Sequence, residues 1–440
     1  MIKRGEISSL VLVICVVYAA VLFTGCSNRG ESQLPEEEQQ PISESIDFES
    51  IKNVGMNVQF TSQTDAAKTE KGMYYVEDWP ISVYEEKSPW IHRGNIVYMD
   101  YDSHKSMYLC NVPGCAHNSQ NCQSYVEFSR SVCLFTNASG TVLFLMSEGA
   151  KNGEIYDEED VGRLLSMDPD GTNRKEVLRL GSTQSFNQDP VFANNDIIVF
   201  SIQDFNKSTK STSTMIIKLD IFTGTVETLY EHNGICSLRD ILPNGDLIVA
   251  VYDGQIQVNS PANMEIIKIG QDGSSENVYT PSKTMSLIND GKIIITETEG
   301  EVISITVKDL MTGEATFIQI NDVSSRLPAL VSGVTDGKAH LRYYTLNGEE
   351  SEPHELFVDL KDGSVTEKTL HYDSDYGSDF VTIVARYEKG YLVKIGREKV
   401  AKTYIGADGI PISIEGIDSV YATITSEDYW SNVPEYEMFS

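Results

Sequence analysis

Two kinds of tight turn alternate along this chain, and each kind recurs seven times. The first kind is a short polar turn followed directly by an apolar strand, as at Asn244-Gly245 before DLIVAV. The second kind comes about twenty to thirty residues later, as at Asp220–Gly224. A repeat of about fifty residues with two hairpin turns in each unit is typical of a β-propeller blade of four strands.

The sequence therefore predicts an all-β fold, a single β-propeller of seven four-stranded blades. Six or eight blades are the alternatives, because the units at Lys71-Gly72 and at the C-terminus are the least regular. The predicted blades are 54–128, 129–181, 182–231, 232–281, 282–321, 322–371 and 372–440. In each blade the first turn should join the first two strands and the second turn the last two. We expect Asn57–Ser62 and Ser419–Thr425 to close the ring, since an open ring leaves an unpaired edge.

The N-terminus predicts an exported protein. Lys3 and Arg4 precede an apolar run from Leu10 to Phe23, which is too short to span a bilayer and fits the core of a signal peptide. The run ends at Thr24-Gly25-Cys26, which resembles a lipobox. We therefore expect residues 1–26 to be a lipoprotein signal peptide and Cys26 to carry a lipid anchor on the extracytoplasmic face of the cell membrane. An ordinary secretory signal cut near this site is the alternative.

Residues 27–50 are polar and acidic, so they predict a flexible tether ahead of a propeller domain at 51–440.

The whole chain carries a formal net charge of −31. A protein this acidic is repelled by phosphate backbones, so nucleic acid is excluded as a partner. Solubility explains the charge, and a cationic ligand or divalent metal is the alternative.

One segment of the sequence has the composition of a metal site. An insertion at 109–133 contains three cysteines and one histidine in the spacing C-x4-C-x-H-x4-C, namely Cys110, Cys115, His117 and Cys122. This is the ligand inventory of a tetrahedral structural zinc site, although the spacing differs from standard zinc fingers. A disulfide with a spare thiol is a competing interpretation for an exported protein, and a reduced loop is a third.

The position of this insertion is also predicted. Cys133 and Cys236 lie in apolar strings and should be buried in strands, so they are not counted with the other three thiols. The insertion should connect the last strand of blade one to the first strand of blade two. Such connections surround the mouth of the central channel.

Weaker candidates lie elsewhere. Asp373, Asp375 and Asp379 alternate around a glycine and would suit calcium, although a plain acidic loop explains them as well. Three aromatic residues of blade one could line a sugar or peptide groove, or could simply pack in the fold: Trp79, Trp90 and Tyr101. The acidic stretch Tyr156–Asp160 is expected in a loop of blade two.

The cysteine segment resembles a motif of bacterial surface lipoproteins that have a propeller body. Their first blade carries Y-x-D near L-C-x-x-P-x-C-x-H. The matching positions here are Tyr98, Asp100, Leu109, Cys110, Pro113, Cys115 and His117. The wider relatives are TolB-like and WD40-like propellers, which mostly bind or scaffold. The resemblance implies location and fold, and it supplies no catalytic residue.

These observations predict a non-enzymatic surface lipoprotein that binds a glycan, a peptide or a protein partner. The motifs G-x-S-x-G and H-E-x-x-H and the P-loop do not occur. The alternative is an extracellular carbohydrate-active hydrolase or lyase, which needs two carboxylates at a fixed separation. Its available groups would be Glu158, Glu159, Asp373, Asp375 and Asp379. A redox or metal-sensing role for the cysteine segment is a third hypothesis.

Overall fold

The computed structural model describes residues 47–439, with gaps. The gaps are 57–65, 79–90, 149–160, 188, 254–262, 281–284, 322, 324–328, 348–349, 375–376 and 406–409. The described part is built almost entirely of antiparallel strands, which form seven blades arranged in a ring. The predicted all-β propeller with seven blades is therefore confirmed.

The described part begins with a 3₁₀ turn at Phe48–Ser50, within the stretch predicted to be a tether. Strand β1 (Lys52–Met56) follows. Blade one contains β2 (Ala67–Lys68), β3 (Gly72–Asp78), β4 (Ile91–Asp100), β5 (Lys105–Tyr108) and the first part of β6 (Tyr125–Thr136). Blade two contains the second part of β6, then β7 (Leu143–Glu148), β8 (Arg163–Met167) and β9 (Lys175–Arg179).

The next three blades follow the predicted repeat. Blade three contains β10 (Gln184–Phe186), β11 (Pro190–Ala193), β12 (Ile197–Asn206), β13 (Ser211–Asp220) and β14 (Val226–His232). Blade four contains β15 (Ile235–Ile241), β16 (Leu247–Asp253), β17 (Asn263–Ile269) and β18 (Ser275–Tyr279). Blade five contains β19 (Met285–Asn289), β20 (Lys292–Glu299), β21 (Val302–Asp309) and β22 (Ala315–Ile320).

The last two blades are separated by an extra hairpin. Blade six contains β23 (Leu330–Thr335), β24 (Lys338–Asn347), β25 (Glu350–Asp359) and β26 (Val365–Glu367). The extra hairpin is β27 (His371–Ser374) and β28 (Gly377–Phe380). Blade seven contains β29 (Thr382–Tyr387), β30 (Gly390–Ile405), β31 (Pro411–Thr425) and β32 (Glu437–Met438), with helix α1 (Ser426–Trp430) between its last two strands.

In blades five and six the first turn is made as the sequence predicts. Asp290 and Gly291 both have positive φ, of 49° and 68°, and they join Asn289 to its strand partner Lys292. Asp336 and Gly337 do the same between β23 and β24, with φ of 51° and 75°. Two consecutive residues of positive φ define the tight hairpin turn that matches the twist of the strands.

The apolar core lies between the blades. One cluster joins blade two to blade three and contains Phe135, Phe144 and Phe200. Equivalent clusters lie between blades one and two, four and five, five and six, six and seven, and seven and one. Cys133 and Cys236 are both fully buried in strands, as expected. Each blade is thus stabilised mainly by its neighbours.

Three details of the predicted topology are wrong. Residues 407–409, predicted as the second turn of blade seven, lie outside the described residues, and the strands on either side of them are the second and third strands of the blade, β30 and β31, which are much longer than their counterparts. Residues 419–425 belong to β31, which pairs with β30 and β32, so within the described residues blade seven is built from the C-terminal part of the chain alone. Asn57–Ser62 lies outside the described residues, and β1 just before it pairs with β11 of blade three.

The third correction concerns the cysteine insertion. Both β5 and the first part of β6 pair with β4, so the insertion interrupts the outermost strand position of blade one. It does not connect the last strand of blade one to blade two. The reason is that β6 is a single long strand that begins in blade one and ends as the first strand of blade two.

Polar side chains also fasten one blade to the next. Asp189, which is 3% exposed, accepts hydrogen bonds from Ser201 Oγ at 2.6 Å in its own blade. It also accepts hydrogen bonds from Ser237 Oγ at 2.5 Å and from the Leu238 amide at 2.8 Å in blade four. Removing the carboxylate leaves those buried donors without an acceptor.

We predict that Asp189→Ala destabilises the domain by about 3 kcal/mol, because it removes a buried acceptor shared by two blades. Chemical denaturation of both proteins measures this difference. The control is Asp272→Ala, which removes a carboxylate from an exposed turn of blade four and should change the unfolding midpoint little. Equal effects of the two substitutions would contradict the role given to Asp189.

Candidate metal centre

The cysteine segment, residues 109–124, is a loop held at both ends by β4. The Leu109 amide donates to the Ile96 carbonyl at 2.9 Å, and the Ile96 amide donates to the Ser124 carbonyl at 2.9 Å. Inside the loop, Gly114 has a φ of 74° and reverses the chain after Pro113, as the Pro-Gly pair suggests. The Cys115 amide closes this turn by donating to the Val112 carbonyl at 3.2 Å.

The loop brings together the four side chains that the sequence predicted. The ligand atoms of Cys110, Cys115, His117 and Cys122 all lie within 4.8 Å of one another. His117 Nδ1 is 3.3 Å from Cys122 Sγ. Within the described part of the chain, no other group of three or more Cys, His, Asp or Glu side chains is this close. The predicted ligand set is therefore a real cluster in space.

Buried polar groups fix the histidine. Asn95, which is 1% exposed, donates from its side-chain amide to the His117 carbonyl at 2.5 Å. The hydroxyl of Ser124 donates to Asn95 Oδ1 at 3.2 Å and lies 3.0 Å from Cys122 Sγ. The ring of Tyr108 stacks on the imidazole with 4.6 Å between centroids. His117 itself has a φ of 54°, an uncommon conformation that these contacts maintain.

Blade two holds the other end of the segment. The guanidinium of Arg174 donates to the Gln123 carbonyl at 2.7 Å and to the Tyr125 carbonyl at 2.9 Å. Gly171, in the turn before Arg174, packs so closely on Leu109 that a Cβ there would lie 2.9 Å from its side chain. The cysteine segment therefore contacts both blade one and blade two.

The thiols differ in environment. Burial acts to raise the pKa of Cys110, but hydrogen bonds from the Val112 and Gln123 amides and from the neighbouring thiols lower it overall. Burial raises the pKa of Cys122, and the thiols of Cys115 and Cys110 add to this effect. The lowered pKa of Cys110 favours the thiolate form that metals bind. Cys122, whose pKa is raised, ionises when a cation binds beside it.

This donor set fits zinc. Tetrahedral zinc binds sulfur at about 2.3 Å and nitrogen at about 2.0–2.1 Å, so its ligand atoms lie roughly 3.5–3.8 Å apart. Small side-chain rotations bring atoms that are within 4.8 Å of one another to those separations. Cys110, Cys115 and Cys122 are thiols in this structure and form no disulfide with one another. Because all four ligands come from the protein, such a site has no open position for water or substrate.

Of the three aromatic residues predicted for a binding groove, the structure describes only Tyr101. Tyr101 is 1% exposed and packs on Tyr387 of blade seven with 5.0 Å between ring centroids. Its side chain belongs to the core between blades seven and one. Trp79 and Trp90 lie outside the described residues, as does the acidic stretch at 156–160.

The acidic residues before blade seven lie on the hairpin of β27 and β28. Asp373 pairs with Ser378, and Tyr372 pairs with Asp379, so Asp373 and Asp379 lie on opposite faces of this hairpin. Asp373 is exposed, and Asp379 accepts a hydrogen bond from Arg342 Nη2 at 3.1 Å. Asp375 lies outside the described residues. The structure therefore does not bring Asp373 and Asp379 to one calcium ion or one scissile bond.

Sequence reasoning missed a buried ionic network beside this hairpin. Glu355 and Lys368 are each 3% exposed, and their charged atoms are 2.5 Å apart. Glu355 is also 3.3 Å from His340 Nδ1 and 3.1 Å from Arg342 Nη2. Rings of Phe357, Phe380 and Tyr429 surround the ammonium group at 5.4–5.7 Å. Charged residues are normally exposed, so nothing in the local sequence signals this burial.

No protein-family model matches this chain, and no curated protein matches it. The β-propeller domain of the Trilobed protease from Pyrococcus furiosus is similar in structure, at 14% identity and a TM-score of 0.43. This match covers 84% of this chain and 96% of that one. Oligogalacturonate lyase from Vibrio parahaemolyticus is similar at 10% identity and a TM-score of 0.42, covering 84% and 96%. TolB from Acinetobacter baumannii is similar at 12% identity and a TM-score of 0.32, covering 80% and 77%.

Likenesses this distant say nothing about what this chain binds or catalyses. The topology and the site of this chain define a seven-bladed β-propeller with a Cys/His group at the outer edge of its first blade, close enough to hold a metal ion. In the part of the chain that the structure describes, no helix is long and apolar enough to cross a membrane.

We predict that acid weakens the fold through Glu355. Burial acts to raise the pKa of Glu355, but the hydrogen bond from His340 and the charge of Lys368 lower it to about 2, from an ordinary value of 4.5. A carboxyl group with a lowered folded-state pKa stabilises the protein above its unfolded pKa. This contribution, about 3 kcal/mol, is lost as the pH falls from 4.5 towards 2.

Chemical denaturation of the protein and of Glu355→Gln at several pH values tests this prediction. The variant should be less stable at pH 7, because Lys368 is left buried without its counter-ion, and its stability should change less in that acidic window. Glu367→Gln, an exposed neighbour in β26, is the matched control and should behave as the unaltered protein. An unchanged acid dependence in Glu355→Gln would contradict the prediction.

Proposed function

We propose that this chain is a lipid-anchored, non-enzymatic binding or scaffold propeller on the extracytoplasmic face of the cell membrane. In this proposal, Cys110, Cys115, His117 and Cys122 hold a structural zinc ion that shapes the outer edge of blade one. The propeller would present this and neighbouring surfaces to a glycan, a peptide or a protein partner.

The convergence of the four Cys and His side chains carries the proposal. A four-ligand site made only of thiols and imidazole stabilises a loop and does not activate water, because no coordination position is left for water. Buried groups that donate to the loop, such as Asn95, also fit a rigid structural element.

Two of the carboxylates named for the hydrolase alternative, Asp373 and Asp379, lie on the described part of the acidic hairpin. A glycosidase of the usual kind needs two carboxyl groups on one site, about 5 Å apart for retention or 6.5–9.5 Å for inversion. Asp373 and Asp379 lie on opposite faces of their hairpin, and Asp379 is paired with Arg342. These two residues therefore do not supply such a pair.

We predict about one zinc ion per chain in the mature protein purified from membranes, together with five free thiols after denaturation. Elemental analysis and a thiol count measure both values on the same sample. Cys115→Ser should lose most of the zinc because it removes one of four ligands. Cys236→Ala removes a thiol outside the group and should keep the metal. No metal and only three thiols would mean a disulfide in this segment and would refute the zinc site.

We predict that Cys26→Ala releases the protein from membranes, because the thiol of Cys26 is the proposed site of lipid attachment. Cell fractionation and labelling with a radioactive fatty acid check this. Cys15→Ala, which removes the other cysteine of the N-terminal segment, is the control and should leave labelling and membrane attachment intact. Labelling that persists in Cys26→Ala would contradict the lipid anchor.

A further inference from the structure

Strands β30 and β31 of blade seven are the longest strands in the described structure. Strands β30 and β31 pair over their whole lengths, but β29 pairs only with residues 390–394 of β30, and β32 pairs only with Ala422 and Thr423 of β31. Residues 396–405 and 411–420 therefore project beyond the four-stranded part of the blade as a two-stranded ribbon. We call this ribbon the arm.

One face of the arm lies against blade one. Lys402 and Tyr404 share a face with Ile414, because they alternate along β30 and Lys402 pairs with Ile414. The ammonium group of Lys402 contacts the carboxylate of Glu77 in β3, and it is 2.5 Å from Asp418 on the arm itself. Tyr404 is 6% exposed and packs with Tyr125 of β6.

The same residues of blade one adjoin the Cys/His group. Tyr108 stacks on His117, and its hydroxyl group lies beside the carboxylate of Glu77, the partner of Lys402. Tyr125 follows Cys122 by three residues, and its amide donates to the Cys122 carbonyl at 3.1 Å. Two chains of contacts thus run from the ligands to the arm, one through Tyr108 and Glu77 and the other through Tyr125.

The junction between blade seven and blade one, which we call the seam, needs such a fastening. It joins the last blade in the chain to the first, whereas every other pair of neighbouring blades in the ring is consecutive in sequence and connected by the chain. The seam is held by an apolar cluster around Tyr101 and Leu392, by the ion pair of Lys389 with Asp102, and by the arm. Because no connecting segment of chain ties its two sides together, the seam is the place where a propeller ring can open.

We infer that metal binding by the Cys/His group fastens the arm and thereby holds the ring closed at the seam. This inference rests on the proposed zinc site. Loss of the ion releases His117 and Cys122, which position Tyr108 and Tyr125, so the arm loses its supporting surface on blade one. The rest of the ring keeps its own contacts between blades.

Hydrogen exchange of the full chain, measured before and after removal of zinc with a chelator, tests the inference. Metal content is read on the same samples. Amides of residues 396–404 and 412–420 should exchange at least about tenfold faster after chelation, while those of β16 in blade four should not change. If zinc leaves and exchange of the arm is unaltered, the coupling is overturned although the metal site stands. If the purified chain holds no zinc at all, the proposed site fails and the coupling fails with it.

Two variants test the contact of the arm with blade one without changing a zinc ligand. Lys402→Met removes the ion pair to Glu77 and should raise exchange in the arm by a similar factor while about one zinc per chain is retained. Lys399→Met is the matched control, since Lys399 is exposed on the same strand and should change neither quantity. If hydrogen exchange of the arm amides stays slow in Lys402→Met, the contact with blade one does not hold the arm, and the inference is overturned.

Discussion

Burial of blade faces against neighbouring blades is the interaction on which this structure depends. Each blade is a small twisted sheet with apolar residues on both faces, and the buried clusters lie between blades. A sheet of this kind is stable only when both faces are covered, which a closed ring provides for every blade at once. Polar fastenings such as Asp189 then fix how one blade sits on the next.

This dependence explains what the sequence could predict. Turns such as Asp290-Gly291 and Asp336-Gly337 need residues that tolerate positive φ, so they leave a local signature wherever they recur. The period of these turns gives the number of blades. Likewise, the spacing of the three cysteines and His117 predicts their cluster from the sequence alone, because so dense a group of metal-binding side chains is rare in a chain.

Other features left no local signature. The length of β30 and β31 and the continuity of β6 from one blade into the next are set by tertiary packing. Without them the turn at 407–409 and the place of the cysteine segment were misassigned. The burial of Glu355 and Lys368 depends on aromatic residues distant in the chain, such as Tyr429, so no local pattern in the sequence indicates it.

The pairing of β1 has a mechanical consequence. This strand adds to the inner edge of blade three, beside β11, rather than to blade seven or blade one. Any pull along the chain from its N-terminus is therefore resisted first by backbone hydrogen bonds within blade three. Strand β1 also contacts β2 of blade one and β6, so such a load is shared among the first three blades of the ring.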